Sequence, residues 1–325
     1  MNDQFQRTID YLRISLTDRC NLRCTYCMPE EGVEWLPHTQ VLTYEELLRL
    51  CRIFSGLGIS KIKLTGGEPL LRKGVPCLVA GLKAIEGIRC VTLTTNGLLL
   101  ADQLTALMEA GLDGVNISLD TLDPAQFRVI TRREGLDRVL AGLDAALSYK
   151  SLSVKLNCLP LGINDDQLIP LAGLAKDRPL AVRFIELMPI GEGSGGPCRT
   201  EAEVRTLLEG AFGPMTAYDS PMGNGPSHYF TLPGFAGKVG FISAMSHSFC
   251  RQCNRVRLTA QGFLKTCLQY EEGADLKPFL RGGKSDRDLR DLVAGAIYQK
   301  PDHHRFQENG CVEKAERRGM SQIGG

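Results

Sequence analysis

Tyr11-Leu12-Arg13-Ile14-Ser15-Leu16-Thr17-Asp18-Arg19-Cys20-Asn21-Leu22-Arg23-Cys24-Thr25-Tyr26-Cys27 carries a short apolar strand directly into three closely spaced cysteines. Similar short runs rich in Ile, Leu or Val follow at Ile59–Thr65, Cys90–Thr95, Gly114–Leu119, Val154–Leu159 and Val182–Leu187, as buried parallel strands should look. Amphipathic stretches lie between them, for example Thr43–Leu57, Ala101–Ala110, Gly135–Tyr149 and Asp165–Ala175. Thr43 with Glu46 is a capping-box pattern at a helix start. Six β-α repeats predict a parallel sheet, and eight would close a full barrel. The pattern alone leaves an open partial barrel and a doubly wound sheet as alternatives.

After Pro189 the pattern changes. Two loops, at Gly191–Pro197 and Asp219–Pro226, are followed by short runs at Tyr229–Leu232, Lys238–Ile242, Val256–Thr259 and Phe263–Lys265, which predict antiparallel strands. Asp286–Tyr298 reads as a helix. The 325 residues are 43% hydrophobic and 23% charged, with formal net charge +1, which excludes the global basic field of a nonspecific nucleic-acid binder. No apolar run has membrane-spanning length, and the first residues carry no apolar signal region, so a cytoplasmic protein is expected. Twelve cysteines in a reducing compartment point to metal binding or catalysis.

Cys20, Cys24 and Cys27 form C-x3-C-x2-C. Three thiolates so spaced suit three irons of a [4Fe–4S] cluster and leave the fourth iron open to a small molecule, with a zinc site as the alternative. Thr65-Gly66-Gly67-Glu68-Pro69 ends the second strand, where two glycines let backbone approach a ligand. Thr94-Thr95-Asn96-Gly97 and Asn116-Ile117-Ser118-Leu119-Asp120 put polar residues at the ends of the next two strands. Cys250, Cys253 and Cys267 make a second triad, C-x2-C-x13-C. Arg255 and Arg257 lie two apart on one face of the strand that follows, with forks suited to phosphate. Cys51, Cys77, Cys90, Cys158, Cys198 and Cys311 match neither triad, and Cys51, Cys90 and Cys158 are expected to be buried in the core.

The cysteine spacing, the aromatic Tyr26 before the last cysteine and the Gly-Gly-Glu-Pro turn resemble the radical S-adenosylmethionine enzymes. Together with Arg183-Phe184-Ile185-Glu186-Leu187-Met188, the stretch Phe249–Arg257 and the terminal Gly324-Gly325, they resemble, over nearly the whole chain, the family that cyclises GTP in molybdenum cofactor biosynthesis. The resemblance implies a partial (β/α)6 TIM-type barrel over residues 1–190, and over 191–325 a C-terminal α+β extension carrying a second Fe–S cluster. It implies two [4Fe–4S] clusters, on Cys20, Cys24 and Cys27 and on Cys250, Cys253 and Cys267, the second binding the guanine. Tyr26, Gly67, Ser118 and Met188 would line the S-adenosylmethionine site. Arg13, Lys63, Thr94, Lys155, Arg255, Val256 and Arg257 would bind GTP, while Arg255, Arg257, Gly324 and Gly325 would act in catalysis.

A 5′-deoxyadenosyl radical would take hydrogen from C3′ of GTP, and the C3′ radical would attack C8. The resemblance also implies a homodimer, an external one-electron donor and a functional link to cyclic pyranopterin monophosphate synthase. A radical enzyme acting on a peptide or tRNA, and a zinc-binding module, are the rival readings.

Overall fold

The computed structural model describes residues 1–193, 198–220, 222–306, 316 and 318–324. Its strands are β1 (Tyr11–Ser15), β2 (Lys61–Thr65), β3 (Cys90–Thr95), β4 (Gly114–Ser118), β5 (Ser153–Cys158), β6 (Ala181–Ile185), β7 (Thr216–Tyr218), β8 (His228–Thr231), β9 (Lys238–Ile242), β10 (Arg255–Leu258), β11 (Phe263–Lys265) and β12 (Gly273–Asp275). Helices α1 (Tyr44–Gly56), α2 (Val75–Lys83), α3 (Leu100–Glu109), α4 (Pro124–Thr131), α5 (Leu136–Ser148) and α6 (Asp165–Gly173) alternate with the first six strands. Beyond them come α7 (Glu201–Phe212), α8 (Lys277–Arg281), α9 (Asp286–Tyr298) and α10 (Met320–Ile323).

Strands β1 to β6 pair in parallel and in chain order, the open six-unit partial barrel. Because six units leave two open edges, the C-terminal strands complete them. The sheet runs β12-β11-β10-β1-β2-β3-β4-β5-β6-β9-β8-β7. The antiparallel expectation holds within β7-β8-β9 and within β10-β11-β12. It fails at both junctions, where β10 joins β1 and β9 joins β6 in parallel. A strand's pattern records which face is buried, whereas the direction of its partner is set by whichever edge is free.

Residues alternate along each barrel strand. Leu12, Ile14, Ile62, Leu64, Val91, Leu93, Val115, Ile117, Leu156 and Val182 are fully buried and share one core with the buried leucines of the helices, among them Leu47, Leu78, Leu104, Leu143 and Leu171. The other face carries Arg13, Lys63, Thr92, Thr94, Asn116, Lys155, Asn157 and Arg183. Truncating one such leucine, as in Leu93→Ala, costs about 2–5 kcal/mol, so the apolar face fixes the register that lines up the polar one. At the first helix, Thr43 Oγ1 accepts from Glu46 N (3.2 Å) and Glu46 Oε2 accepts from Thr43 N (2.7 Å), completing the expected capping box. Among the described residues no helix is long and apolar enough to cross a membrane.

Candidate active site

The first cysteine triad occupies the loop leaving the C-terminal end of β1. Arg23 N donates to Thr131 O (2.9 Å) and Thr25 N to Ile130 O (2.9 Å), so the end of α4 holds the loop's backbone. Burial pushes the Cys20 thiol up. Burial, then the neighbouring charges of Cys27, Asp120 and Cys20, hold Cys24 well above its usual range. Burial and Cys20 push Cys27 up to about 12. Among the described residues no three His, Cys, Asp or Glu side chains are gathered as a ready site for a single metal ion. Fitness for a cluster therefore rests on the thiols' chemistry: three half-buried, closely spaced sulfurs, all with raised pKa, need an external positive charge to become thiolate ligands.

The Gly-Gly-Glu-Pro turn closes on this loop. Gly67 N donates to Thr17 O (2.7 Å) and Glu68 N to Arg19 O (2.8 Å). A Cβ on Gly67 would lie 2.4 Å from Arg19 O, which only glycine avoids. The fully buried Glu68 carboxylate accepts from Leu70 N (2.9 Å), Thr95 Oγ1 (2.9 Å) and Asn96 N (2.7 Å), tying the ends of β2 and β3 together. Burial nevertheless pushes its pKa up to about 7. Tyr26 donates its hydroxyl to Asp120 Oδ2 (2.7 Å), just past β4 and its terminal Ser118. Burial pushes Asp120 up to about 6. Met188, past β6, packs against Ile190, Leu268 and Ile323. Tyr26, Gly67, Ser118 and Met188 thus all follow or end barrel strands on the rim that carries the triad.

Inside the barrel the cations line up by register. Arg13 is paired with Arg257 on one side and Lys63 on the other. Asn116 is paired with Thr94 and Lys155, and Asn157 with Arg183. With its amide oxygen toward the cations, Asn116 accepts from Lys63 Nζ (2.8 Å) and Arg183 Nη2 (2.9 Å). Arg183 also donates to Asn157 Oδ1 from Nε (3.0 Å) and Nη2 (2.5 Å).

Burial, then Arg183, Arg13 and Lys155, hold the Lys63 ammonium well below its usual range. Burial, then Arg13 and Arg255, act the same way on Arg257. Burial lowers Arg13 and Lys155 too, against opposing effects of Tyr11 and Tyr229. Arginine keeps its proton in proteins, so these directions mean that positive charge is held unfavourably and that a bound anion would relieve it. Thr94 Oγ1 is buried without a hydrogen-bond partner, a further unsatisfied polar atom in this interior.

The opposite end of the barrel is crossed by the β7–β8 loop. Lys155 Nζ donates to Met222 O (2.5 Å) and Asn224 Nδ2 to Cys90 Sγ (3.3 Å). Cys90 is therefore only half-buried, at this mouth, whereas Cys51 and Cys158 lie in the core as expected.

In the second triad Cys250 opens a single helical turn, Cys253 caps it, and Cys267 follows β11. Arg7 Nη1 donates to Cys250 O (3.0 Å), and Lys300 Nζ bonds the carbonyls of Arg255 (3.0 Å) and Thr266. Glu186 accepts from Met245 N (2.8 Å) and Ser246 N (2.8 Å), holding the loop that leads to Cys250. Burial opposes ionisation of Cys253, but Lys300 and Arg255 outweigh it and lower the thiol to about 6. Burial likewise opposes Cys250, and His304 and Ser248 bring it to about 7. These two sulfurs suit a thiolate-bound metal group without outside help.

The C-terminal tail reaches this interior. Arg257 Nη1 donates to Gly324 O (2.6 Å), and Ile323 is fully buried against Ile190 and Leu268. Gly324 has φ +76°, and a Cβ there would lie 2.9 Å from Ser15 Cβ. Gly325 and Cys311 lie outside the described residues.

Of the expected GTP residues, Arg13, Lys63, Thr94, Lys155 and Arg257 occupy the polar face. The Val256 side chain instead lies in the hydrophobic core, since alternation turns it away from Arg255 and Arg257. Arg183, Asn116 and Asn157 were given no role from sequence. Their signal was the same period-2 alternation that places Lys155 two residues before Asn157.

A family model described as Radical SAM superfamily matches residues 14–175, and one described as Molybdenum Cofactor Synthesis C matches residues 180–306. The chain is 48% identical to a protein named GTP 3′,8-cyclase from Pelotomaculum thermopropionicum, 47% to one so named from Moorella thermoacetica and 43% to one from Clostridium perfringens, with 100% of both chains covered each time. The crystal structure of Streptococcus suis SuiB bound to S-adenosylmethionine superposes with a TM-score of 0.61 at 15% identity, over 90% of this chain and 68% of that one, and shares the fold. With end-to-end identity approaching one half, and the two models matching successive parts of the sheet just described, this chain belongs to the GTP 3′,8-cyclase family of radical S-adenosylmethionine enzymes.

Proposed function

We propose that this chain converts GTP to (8S)-3′,8-cyclo-7,8-dihydroguanosine 5′-triphosphate, the first step of molybdenum cofactor biosynthesis, and that the buried cations between its two cysteine triads bind the triphosphate. Membership in the radical S-adenosylmethionine superfamily brings S-adenosylmethionine and a [4Fe–4S] cluster. Cys20, Cys24 and Cys27 hold that cluster in this reading, and Cys250, Cys253 and Cys267 hold a second one. When bound, that cluster would supply one-electron reducing chemistry to S-adenosylmethionine.

The chain's own residues do the rest. The observation that carries the reading is the interior where Arg13, Lys63, Lys155 and Arg257 are buried with their charge disfavoured. A triphosphate supplies the missing negative charge, and arginine forks fix its oxygens in direction as well as distance. Arg183 joins this set, oriented by Asn157, and the orphaned Thr94 hydroxyl has a ribose or phosphate oxygen to bond. Val256 contributes through its main chain only.

Tyr26, Gly67, Ser118 and Met188 shape the S-adenosylmethionine side of the cavity. The Gly67 amide is already given to Thr17, so Gly67 acts by permitting close approach. Arg255 and Arg257 stand beside the guanine-binding triad, where they can stabilise charge or hold a proton as C8 is attacked. The tail carries Gly324 to Arg257, while the buried Ile323 excludes water. Holding donor and acceptor carbons together in a closed site is where most of the protein's contribution lies. A homodimer, an external one-electron donor, a cytoplasmic location and a link to cyclic pyranopterin monophosphate synthase complete the reading.

The test is anaerobic turnover of the iron-reconstituted chain with S-adenosylmethionine, dithionite and GTP, followed by mass spectrometry. 5′-Deoxyadenosine together with a cyclised triphosphate, both dependent on GTP, is the expected result. 5′-Deoxyadenosine with GTP unchanged would overturn the substrate assignment.

A further inference from the structure

Lys265 and Glu316 form an ion pair whose two side chains are entirely buried. Lys265 ends β11, and its ammonium also donates to Tyr270 O. Glu316 accepts from Lys265 and from three donors of Arg318: N to Oε1 (2.9 Å), Nε to Oε1 (2.9 Å) and Nη2 to Oε2 (2.9 Å). Glu316 N donates to Gln269 O (2.6 Å), and Gln269 Oε1 in turn accepts from Arg305 N (2.5 Å). The carboxylate's partners are thus Lys265 of β11 and the main chain and guanidinium of Arg318 in the tail itself, while the Glu316 main chain bonds the turn after β11.

Such a pair is a poor choice for bulk stability. Two charges removed from water roughly break even against an apolar pair of the same volume, although removing one partner is strongly destabilising. The best-attested use of a buried polar pair is to specify one arrangement among several. Here the arrangement is identifiable. Lys265 is the cross-strand partner of Arg257 on β10. Arg257 is the residue that bonds Gly324 O at the other end of the tail. The tail is therefore tied at Glu316 and at Gly324 to two residues that face each other on adjacent strands. Between the ties, Ser321 presents its main-chain amide to the Cys27 thiol and Ile323 fills an apolar pocket. Sliding the tail by one residue would part the carboxylate from the buried Lys265 ammonium and bring a side chain to the Gly324 site, where φ is +76° and a Cβ meets Ser15 at 2.9 Å.

We infer that the Lys265–Glu316 pair is a positioning element that sets the register of the C-terminal tail, so that Gly324 meets Arg257. The functional consequence rests on the tail's part in the proposed reaction, while the anchoring can be tested without it. Full-length Glu316→Gln is compared with the parent by carboxypeptidase trimming, followed as intact mass, and by thermal melting.

The expected result is trimming of the last residues at least about tenfold faster, because cleavage follows the released population once the buried pair is broken. The melting temperature should move by only a few degrees, and Glu316→Asp, which keeps the charge, should recover part of the protection. Unchanged trimming would overturn the proposal. So would global unfolding of Glu316→Gln at room temperature, which would make the pair a core staple. In the reconstituted enzyme, Glu316→Gln should lose cyclisation to the level of a chain lacking residues 323–325, with no further loss when both changes are combined. Fast trimming with undiminished cyclisation would leave the anchor standing and overturn the tail's catalytic role instead.

Discussion

The two cysteine triads solve the same problem from opposite directions. Cys20, Cys24 and Cys27 sit within eight consecutive residues, and burial, aided by thiol neighbours at Cys24 and Cys27, raises all three thiols, Cys27 up to about 12. The third cysteine of the other triad, Cys267, comes only after the next two strands, and nearby groups draw Cys250 and Cys253 down to about 7 and about 6. The difference lies in their surroundings. Lys300 and Arg255 act on Cys253, whereas at Cys27 burial and the neighbouring Cys20 thiol prevail. The first triad depends on what it binds to become charged. Two thiols of the second, Cys250 and Cys253, are drawn toward the thiolate before anything binds, and one of the cations responsible, Arg255, begins β10.

The largest effects should come from breaking each triad separately. Cys27→Ala should abolish both 5′-deoxyadenosine formation and cyclisation. Cys253→Ala should abolish cyclisation while leaving some 5′-deoxyadenosine formation, because the proposed function puts Cys253 on the substrate side. Chromatographic quantification of both products checks this, and equal loss of both in the two variants would erase the distinction between the triads.

The cations between the triads should have the next largest effect. Arg183→Ala and Lys63→Ala should raise the KM for GTP roughly 10- to 100-fold, the value of about 1.5–3 kcal/mol for a charged hydrogen bond. An unchanged KM for Arg183→Ala would remove it from the binding set.

Arg183 also shows what the sequence made legible. The apolar period-2 face of the barrel strands was readable, and with it the order of the six parallel units and the capped start of α1. The cysteines and glycines were readable because spacing and residue type carry their chemistry locally. Arg183 was visible in its motif, yet its role came only from a register that brings it beside Asn157 and Asn116 across separate strands. The same limit hid the parallel seams of β9 and β10 and the three-residue strands β7 and β12, whose existence depends on an edge supplied elsewhere in the chain. Glu316 lay in a stretch with no recognisable pattern, and its significance is a partner 51 residues away.

A smaller effect is expected where the tail connects the two sides. Gly324→Ala introduces a Cβ at φ +76°, a conformation that costs an ordinary residue about 1–2 kcal/mol. Cyclisation should fall roughly tenfold with the melting temperature nearly unchanged, since tail docking rather than the core bears the strain. A wild-type rate would show that the Arg257–Gly324 contact is dispensable.

The mildest perturbation tests the comparison directly, because it alters no residue. A thiolate, not a thiol, attacks iodoacetamide, so each cysteine reacts only as pH rises toward its own pKa. In the metal-free, full-length chain, Cys253 should be half-maximally reactive near pH 6 and Cys250 near pH 7, following their thiols at about 6 and about 7. Cys27, at about 12, should stay nearly inert through pH 8. Peptide mass spectrometry of samples pulsed at successive pH values gives all three profiles at once. Because Cys27 and Cys253 are both only partly exposed, access alone does not predict such a separation. Lys300→Met should then move the Cys253 profile upward and leave Cys27 where it was. Coincident profiles in the parent chain would mean that the local cations do not set the second triad's charge, and the contrast between the triads would reduce to their spacing in the sequence.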